Sequence, residues 1–169
     1  MAANESPDPT DLWGPWRYFL GRWTGTSSGK PGVSATERTY ALILAGQFIE
    51  VRGRSTFEPQ ENNPSGEVHE ELGLISFDKG RSRYVLREFH VEGYVNQYVL
   101  EPPPPGSQKL VFVTEAIENI PAGWQARTTL EILSPDSFRE TFELAGPGKP
   151  WSCTITSELH RTAQESLAA

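Results

Sequence analysis

Cysteine is almost missing from this chain: Cys153 is the only one in 169 residues. A lone thiol excludes an intramolecular disulfide, a Cys-x-x-Cys redox pair and a cysteine-built zinc ribbon. Histidine is scarce as well, and His69, His90 and His160 stand far from metal-ligand spacing. No His-x-His or His-Glu-x-x-His occurs, so the spacing predicts no metal site. A Gly-x-Ser-x-Gly elbow is lacking, and Gly21-x-x-x-Gly25 opens a strand rather than a helix, which removes serine-hydrolase and phosphate-loop readings. Catalysis therefore has no positive signal.

Basic clusters are absent too. Fifteen Lys and Arg are dispersed among 22 Asp and Glu, and the formal net charge is −7. That balance argues against nucleic acid and anionic membrane as partners. No apolar run approaches the roughly 18 residues that span a bilayer, and no basic-then-apolar leader is seen. The expectation is a cytoplasmic protein without a membrane partner.

What is present is a period of two. A hydrophobic share of 37% with 11% aromatics is enough for one domain with a sizeable core. Residues 1–11, rich in Pro and polar groups, read as a flexible arm, 12–162 as the domain and 163–169 as a tail. Leu12, Trp13, Trp16, Phe19 and Leu20 fall at helical spacing around Gly14-Pro15 and predict a short helical cap on one barrel mouth. Beyond it, alternating segments at 21–28, 34–44, 47–58, 67–77, 82–91, 94–101, 109–116, 124–133, 137–144 and 151–161 are separated by turn chemistry such as Ala45-Gly46 and Asp78-Lys79-Gly80. Pro102 to Pro105 forbids regular structure and reads as a stiff loop. About ten sequential strands with no long helix predict an all-β, single up-and-down antiparallel barrel.

Strand parity then sorts the faces. If Arg161 points inward beneath Trp23, Leu159, Ser157, Ile155, Cys153 and Trp151 do so as well. Phe138, Glu140, Phe142 and Leu144 share a face, as do Trp124, Ala126, Thr128, Leu130 and Ile132. Tyr94, Asn96, Tyr98 and Leu100 form another, and Leu110, Phe112 and Thr114 the next. An aromatic wall with a few polar anchors is what small-molecule sites present. The expected lining is Tyr40, Asn96, Tyr98, Phe112, Trp124, Thr128, Glu140, Phe142 and Trp151. Either face of 82–91 mixes charged and apolar groups, so Arg87 and His90 join the candidates without a settled direction. Arg38, Arg52, Arg54 and Arg87 are candidate partners for a ligand carboxylate, since a guanidinium grips one with two hydrogen bonds.

The order of Leu20-Gly21-Arg22-Trp23-Thr24-Gly25, Gly46-Gln47-Phe48-Ile49-Glu50, Gly73-Leu74-Ile75-Ser76-Phe77-Asp78 and Glu158-Leu159-His160-Arg161 resembles the calycin superfamily of lipocalins and fatty-acid-binding proteins. It is similar to bacterial lipocalin-like domains and, more distantly, to the nitrobindin family. The resemblance implies a ten-stranded barrel closed by Gly21, Trp23 and Arg161, with a small hydrophobic or amphipathic molecule inside and no cofactor. A homodimer is left open. The nitrobindin likeness implies instead a heme acting on nitrogen oxides, ligated by a His just before or early in the last strand. Residues 150–154 hold no His, so His69 or His90 would have to substitute. A cofactor-free lyase or isomerase using His90, Glu88 and a Tyr is the remaining alternative.

Overall fold

The computed structural model describes residues 11–162; most of the expected arm and the whole expected tail lie outside them. Ten strands follow one another: β1 (Gly21–Gly29), β2 (Gly32–Ile43), β3 (Phe48–Phe57), β4 (Glu67–Asp78), β5 (Arg83–His90), β6 (Val95–Leu100), β7 (Lys109–Glu118), β8 (Gln125–Ser134), β9 (Ser137–Ala145) and β10 (Ser152–Arg161). Each pairs antiparallel with its neighbour in the chain, and β1 pairs with both β2 and β10, so the sheet closes on itself. Closure removes the edge strands that an open sheet would leave unpaired. Among the described residues no helix is long and apolar enough to cross a membrane.

The seam between β1 and β10 is built from the residues that the alternation singled out. Trp23 lies opposite Arg161 in register, and the guanidinium carbon stands 4.2 Å above the indole ring. Arg161 also donates to the carbonyls of Leu20 (3.0 Å) and Tyr18 (2.6 Å). The fully buried Trp23 ring donates through Nε1 to Phe19 O at 2.7 Å and meets Phe138 edge to face at 4.8 Å. Gly25 is required here: a Cβ would lie 1.8 Å from the Glu158 carbonyl oxygen.

The expected helical cap is a single 3-10 turn, Gly14–Trp16. Pro15 lacks the N–H that a longer helix would use, and Gly14 favours no helix. The segment nevertheless plugs one barrel end, with Trp16 and Phe19 fully buried. Its polar atoms tie it to distant turns. Trp13 Nε1 donates to Gly46 O (2.7 Å), Tyr84 donates to Leu12 O, and the Tyr18 hydroxyl reaches Ser134 O and Ser137 O.

Register shifts disturb strict alternation between Gln97 and Tyr98, between Ile132 and Ser134, and between Cys153 and Ile155. An extra residue turns everything beyond it to the other face. Ile155 stays opposite the inward Phe142, whereas Cys153 pairs with outward Glu143. Cys153 is exposed, contrary to the inward parity expected of it, and Trp151 packs on the outer wall under Arg127, 4.6 Å from its guanidinium carbon.

Trp23→Ala should cost about 3–5 kcal/mol of folding stability, as for other large buried aromatics. Arg161→Ala should cost about 2 kcal/mol from its charged hydrogen bonds and ring contact. Urea unfolding of the two variants checks both, and a loss under about 0.5 kcal/mol in either, the scatter of ordinary surface substitutions, would show that the seam does not depend on that pair.

Candidate functional site

Opposite the plug, the barrel opens into a cavity of about 210 Å³. Its rim is apolar, with Pro31, Phe57, Phe142 and Ile155, and its floor is charged, with Arg38, Glu71, Glu88 and Glu140. Two layers thus fill the interior: an aromatic plug below and a polar chamber above. Arg38 separates them.

Arg38 of β2, Gly53 of β3 and Glu71 of β4 lie side by side in one row across three strands. A Cβ at Gly53 would sit 2.1 Å from Glu71 Oε1 and 2.7 Å from Arg38 Nη1. The missing side chain is what lets the guanidinium reach across β3. Arg38 Nη2 stands 2.9 Å from Glu71 Oε1 and 2.7 Å from Glu140 Oε1; Nε donates to Glu140 Oε2 at 3.3 Å and Nη1 to Glu37 O at 3.0 Å. Burial disfavours the Arg38 cation, yet Glu140 and Glu71 outweigh it and raise its pKa. With both carboxylates seated on it, Arg38 has no free edge for a ligand carboxylate.

Glu71 passes the charge outward. Burial pushes its pKa up, but Arg38 and then His69 overcome that and hold it near 2. His69 Nε2 lies 2.8 Å from Glu71 Oε2, and His69 Nδ1 lies 2.7 Å from Glu92 Oε1. The Glu71 hydrogen bond, against the opposing effect of burial, lifts His69 to about 9. Glu88 is the counter-case: burial first, then Glu71 and Glu140, raise it to about 8, so it keeps its proton at neutral pH. Burial lowers His90 to about 4 and makes it a neutral imidazole. Tyr94, stacked on His90 at 4.4 Å, is raised by burial and then Glu92 to about 12.

One wall is a chain of hydroxyls. Ser27 Oγ sits 2.6 Å from Ser157 Oγ and 2.5 Å from Thr36 Oγ1, which continues to Ser34 (3.1 Å) and Ser55 (3.2 Å). Neighbouring inward positions on β10, β1, β2 and β3 supply them, each satisfying the next.

Of the residues expected to line the site, His90, Thr128, Glu140 and Phe142 face the cavity. Tyr40, Asn96, Tyr98 and Phe112 are buried below or behind it, and Asn96 Nδ2 donates to the Tyr98 hydroxyl at 2.8 Å. Three lie elsewhere. Arg87 is on the outer face, 3.3 Å from Ser76 Oγ, because the β4–β5 register turns Tyr84, Leu86, Glu88 and His90 inward. Trp124 is 38% exposed at the β7–β8 loop, and Trp151 is turned out by the Thr154 bulge. Arg52 and Arg54 are exposed and paired with Glu50 and Glu70. Tyr94 stood on the expected face with Asn96 and Tyr98, and His69 was named only as a substitute heme ligand, whereas Glu71 and Glu92 were not expected at the site, since this convergence depends on the register of two strands whose faces look alike in sequence. The turn Asp78-Lys79-Gly80, which seats Arg83 opposite Asp78, carried that register. No His stands at 150–154, and His160 is exposed on β10.

No protein-family model matches this sequence, and no curated protein matches it. Among solved structures the chain is similar to Rv2717c from M. tuberculosis, with a TM-score of 0.68 and 17% identity over 92% of this chain and 100% of the other. At that identity the likeness is one of fold. A de novo designed fluorescence-activating β-barrel matches with a TM-score of 0.43 and 15% identity over 86% of this chain and 94% of that one.

Arg38→Met should destabilise the barrel by about 3–5 kcal/mol, because Glu71 and Glu140 lose their buried counter-charge. Denaturant unfolding tests this, and a cost below about 1 kcal/mol, the range of an exposed ion pair, would mean the floor does not need its cation. Glu88 carries a pH signature. Folded, it holds its proton to about pH 8, against an ordinary value of 4.5. The folded state therefore binds the extra proton in between, and stability falls as pH rises from about 4.5 to 8. Glu88→Gln should exceed the parent at pH 8 by at least about 1.4 kcal/mol, the worth of one pKa unit. That advantage should vanish at about pH 4, below the ordinary carboxyl value. A pH-independent difference would contradict the burial of a protonated Glu88.

Proposed function

We propose that this barrel, of calycin type, is a cytoplasmic carrier or sensor whose open end holds a small amphipathic molecule. The supporting observation is the cavity's composition: an apolar rim over a floor and mouth bearing the carboxyl groups of Glu67, Glu71, Glu88, Glu92 and Glu140, with Arg38 and His69 as the cations lining it. Three of them, Glu71, Glu88 and Glu140, are largely buried, and buried carboxyl groups cost stability that a structural core would avoid losing by using apolar residues. A guest that donates hydrogen bonds or carries positive charge answers them. A fatty-acid head group does not, because Arg38 is already held by two carboxylates.

Size narrows the class further. A volume of about 210 Å³ is below the roughly 300–1,000 Å³ of sites for drug-sized molecules. The fitting guest is a short alkyl or aryl amine, its chain against Phe57, Phe142 and Ile155 and its ammonium toward Glu140 and Glu88.

Thermal unfolding with hexylamine and with hexanoate separates the cases. At about a hundredfold excess over Kd, binding adds about 2.7 kcal/mol, a rise of roughly 5–10 °C for a domain of this size. Hexylamine should produce it and hexanoate should not, and Phe142→Ala should weaken hexylamine about tenfold. Equal shifts from both compounds, or from neither, would overturn the reading.

A further inference from the structure

The cavity mouth contains a second arrangement that the amine reading does not use. His69 on β4, His90 at the end of β5 and Glu92 in the following turn each bring one ligand atom within 4.8 Å of the others. Their convergence is topological. The β4–β5 register puts Glu71 opposite His90, so the His69 and His90 rings come to 5.6 Å, and the turn closed by Gly93 (φ +88°) returns Glu92 over them.

The His69 imidazole is held from behind by a carboxylate. His69 Nε2 is fixed by Glu71, itself anchored on Arg38, which leaves Nδ1 facing Glu92 at 2.7 Å. His90 Nε2 lies 3.3 Å from Asn96 Nδ2 and 3.7 Å from Glu88 Oε2. A carboxylate accepting from the rear nitrogen, as Glu71 does for His69, is how proteins orient imidazole ligands and set their tautomer; His90 meets that condition when its Nε2 carries the proton toward Glu88 Oε2, the tautomer that frees Nδ1 for an ion. A separate observation points the same way. His90 is only 6% exposed, and its Nδ1 is buried with no hydrogen-bond partner. Native interiors rarely leave such a group unanswered.

We propose that His69, His90 and Glu92 form a mononuclear site for a divalent first-row transition metal, with its remaining positions open to the cavity. Two imidazoles and one carboxylate suit zinc, iron(II), cobalt or nickel, whereas magnesium and calcium prefer all-oxygen shells. Bonds of about 2.1 Å at tetrahedral angles need donors about 3.4 Å apart. His69 and Glu92 must therefore part by about 0.7 Å from their present 2.7 Å, and His90 must close on both. Glu92, in a turn and 44% exposed, is free to make that adjustment. The ion displaces to solvent the proton of the His69–Glu92 hydrogen bond, takes its place and gives His90 Nδ1 its partner. The proposal does not rest on the amine reading, since an ion can bind without an organic guest.

The test uses the full chain, stripped with a chelator and titrated with Zn²⁺ by calorimetry and with Co²⁺ by visible absorption. One ion per chain is expected, with cobalt d–d bands and an affinity at least about tenfold weaker in both His90→Ala and Glu92→Gln. Glu61→Gln, which removes an exposed carboxylate of the β3–β4 loop away from the cavity, should leave affinity and bands unchanged. Glu92→Gln guards against misfolding, because its position is an exposed turn, and circular dichroism confirms the fold of each variant. Failure of the folded parent to bind either ion, or binding that Glu92→Gln and His90→Ala leave undiminished, would overturn the site. The hexylamine shift repeated on stripped protein separates the two readings: retained amine binding without ion binding sinks only the metal, and the converse sinks only the amine.

Discussion

A single buried guanidinium divides this barrel into two chemical halves. Below Arg38 the interior is an aromatic plug; above it the wall turns to carboxyl groups, imidazoles and hydroxyls. Bringing that charge out of water is tolerable only because Glu71 and Glu140 approach it with good geometry. Neither could do so if β3 carried a side chain at position 53. From that arrangement the upper chamber inherits its order. Glu71 is held ionised, so it can fix His69, while Glu88, buried first of all and then crowded by the same negative charge, keeps its proton.

Much of this architecture was legible in the alternation of apolar and polar residues. Ten segments, their turns, the pairing of Trp23 with Arg161 and the inward faces of β6, β8 and β9 follow from a period of two and from Gly, Pro, Asn and Asp at the reversals. Glu140, Phe142 and Thr128 were reached that way. The failures have identifiable causes. One inserted residue near Thr154 reverses the parity of Trp151 and Cys153, and nothing in local composition marks it. On β5 both faces mix charge with apolar bulk, so Arg87 and His90 could not be assigned until register was known.

The floor also bears on how arginines in a barrel sequence are read. Arginines facing a barrel interior suggest an anionic guest, but that inference holds only for an arginine with an unoccupied edge. Arg38 has none, and Arg52, Arg54 and Arg87 lie outside. Counting cations along the strands therefore counts guanidinium groups that are already paired or turned outward. What decides the matter is which carboxylates share the row, and that is a property of pairing rather than of sequence.

The plug has a consequence for the order in which the molecule is made. Tyr18 reaches across 119 positions to Ser137 and receives a hydrogen bond from Arg161 across 143. Contacts of such sequence separation are slow to form, because loop closure precedes any gain from them. On the ribosome, Tyr18 must wait for β9 and β10 before its hydrogen bonds can be completed. The sealed end is thus finished last, although its residues precede every strand of the barrel. Until β10 arrives, Trp16, Phe19 and Trp23 form an unshielded apolar cluster, the stretch from which a stalled or truncated chain would aggregate.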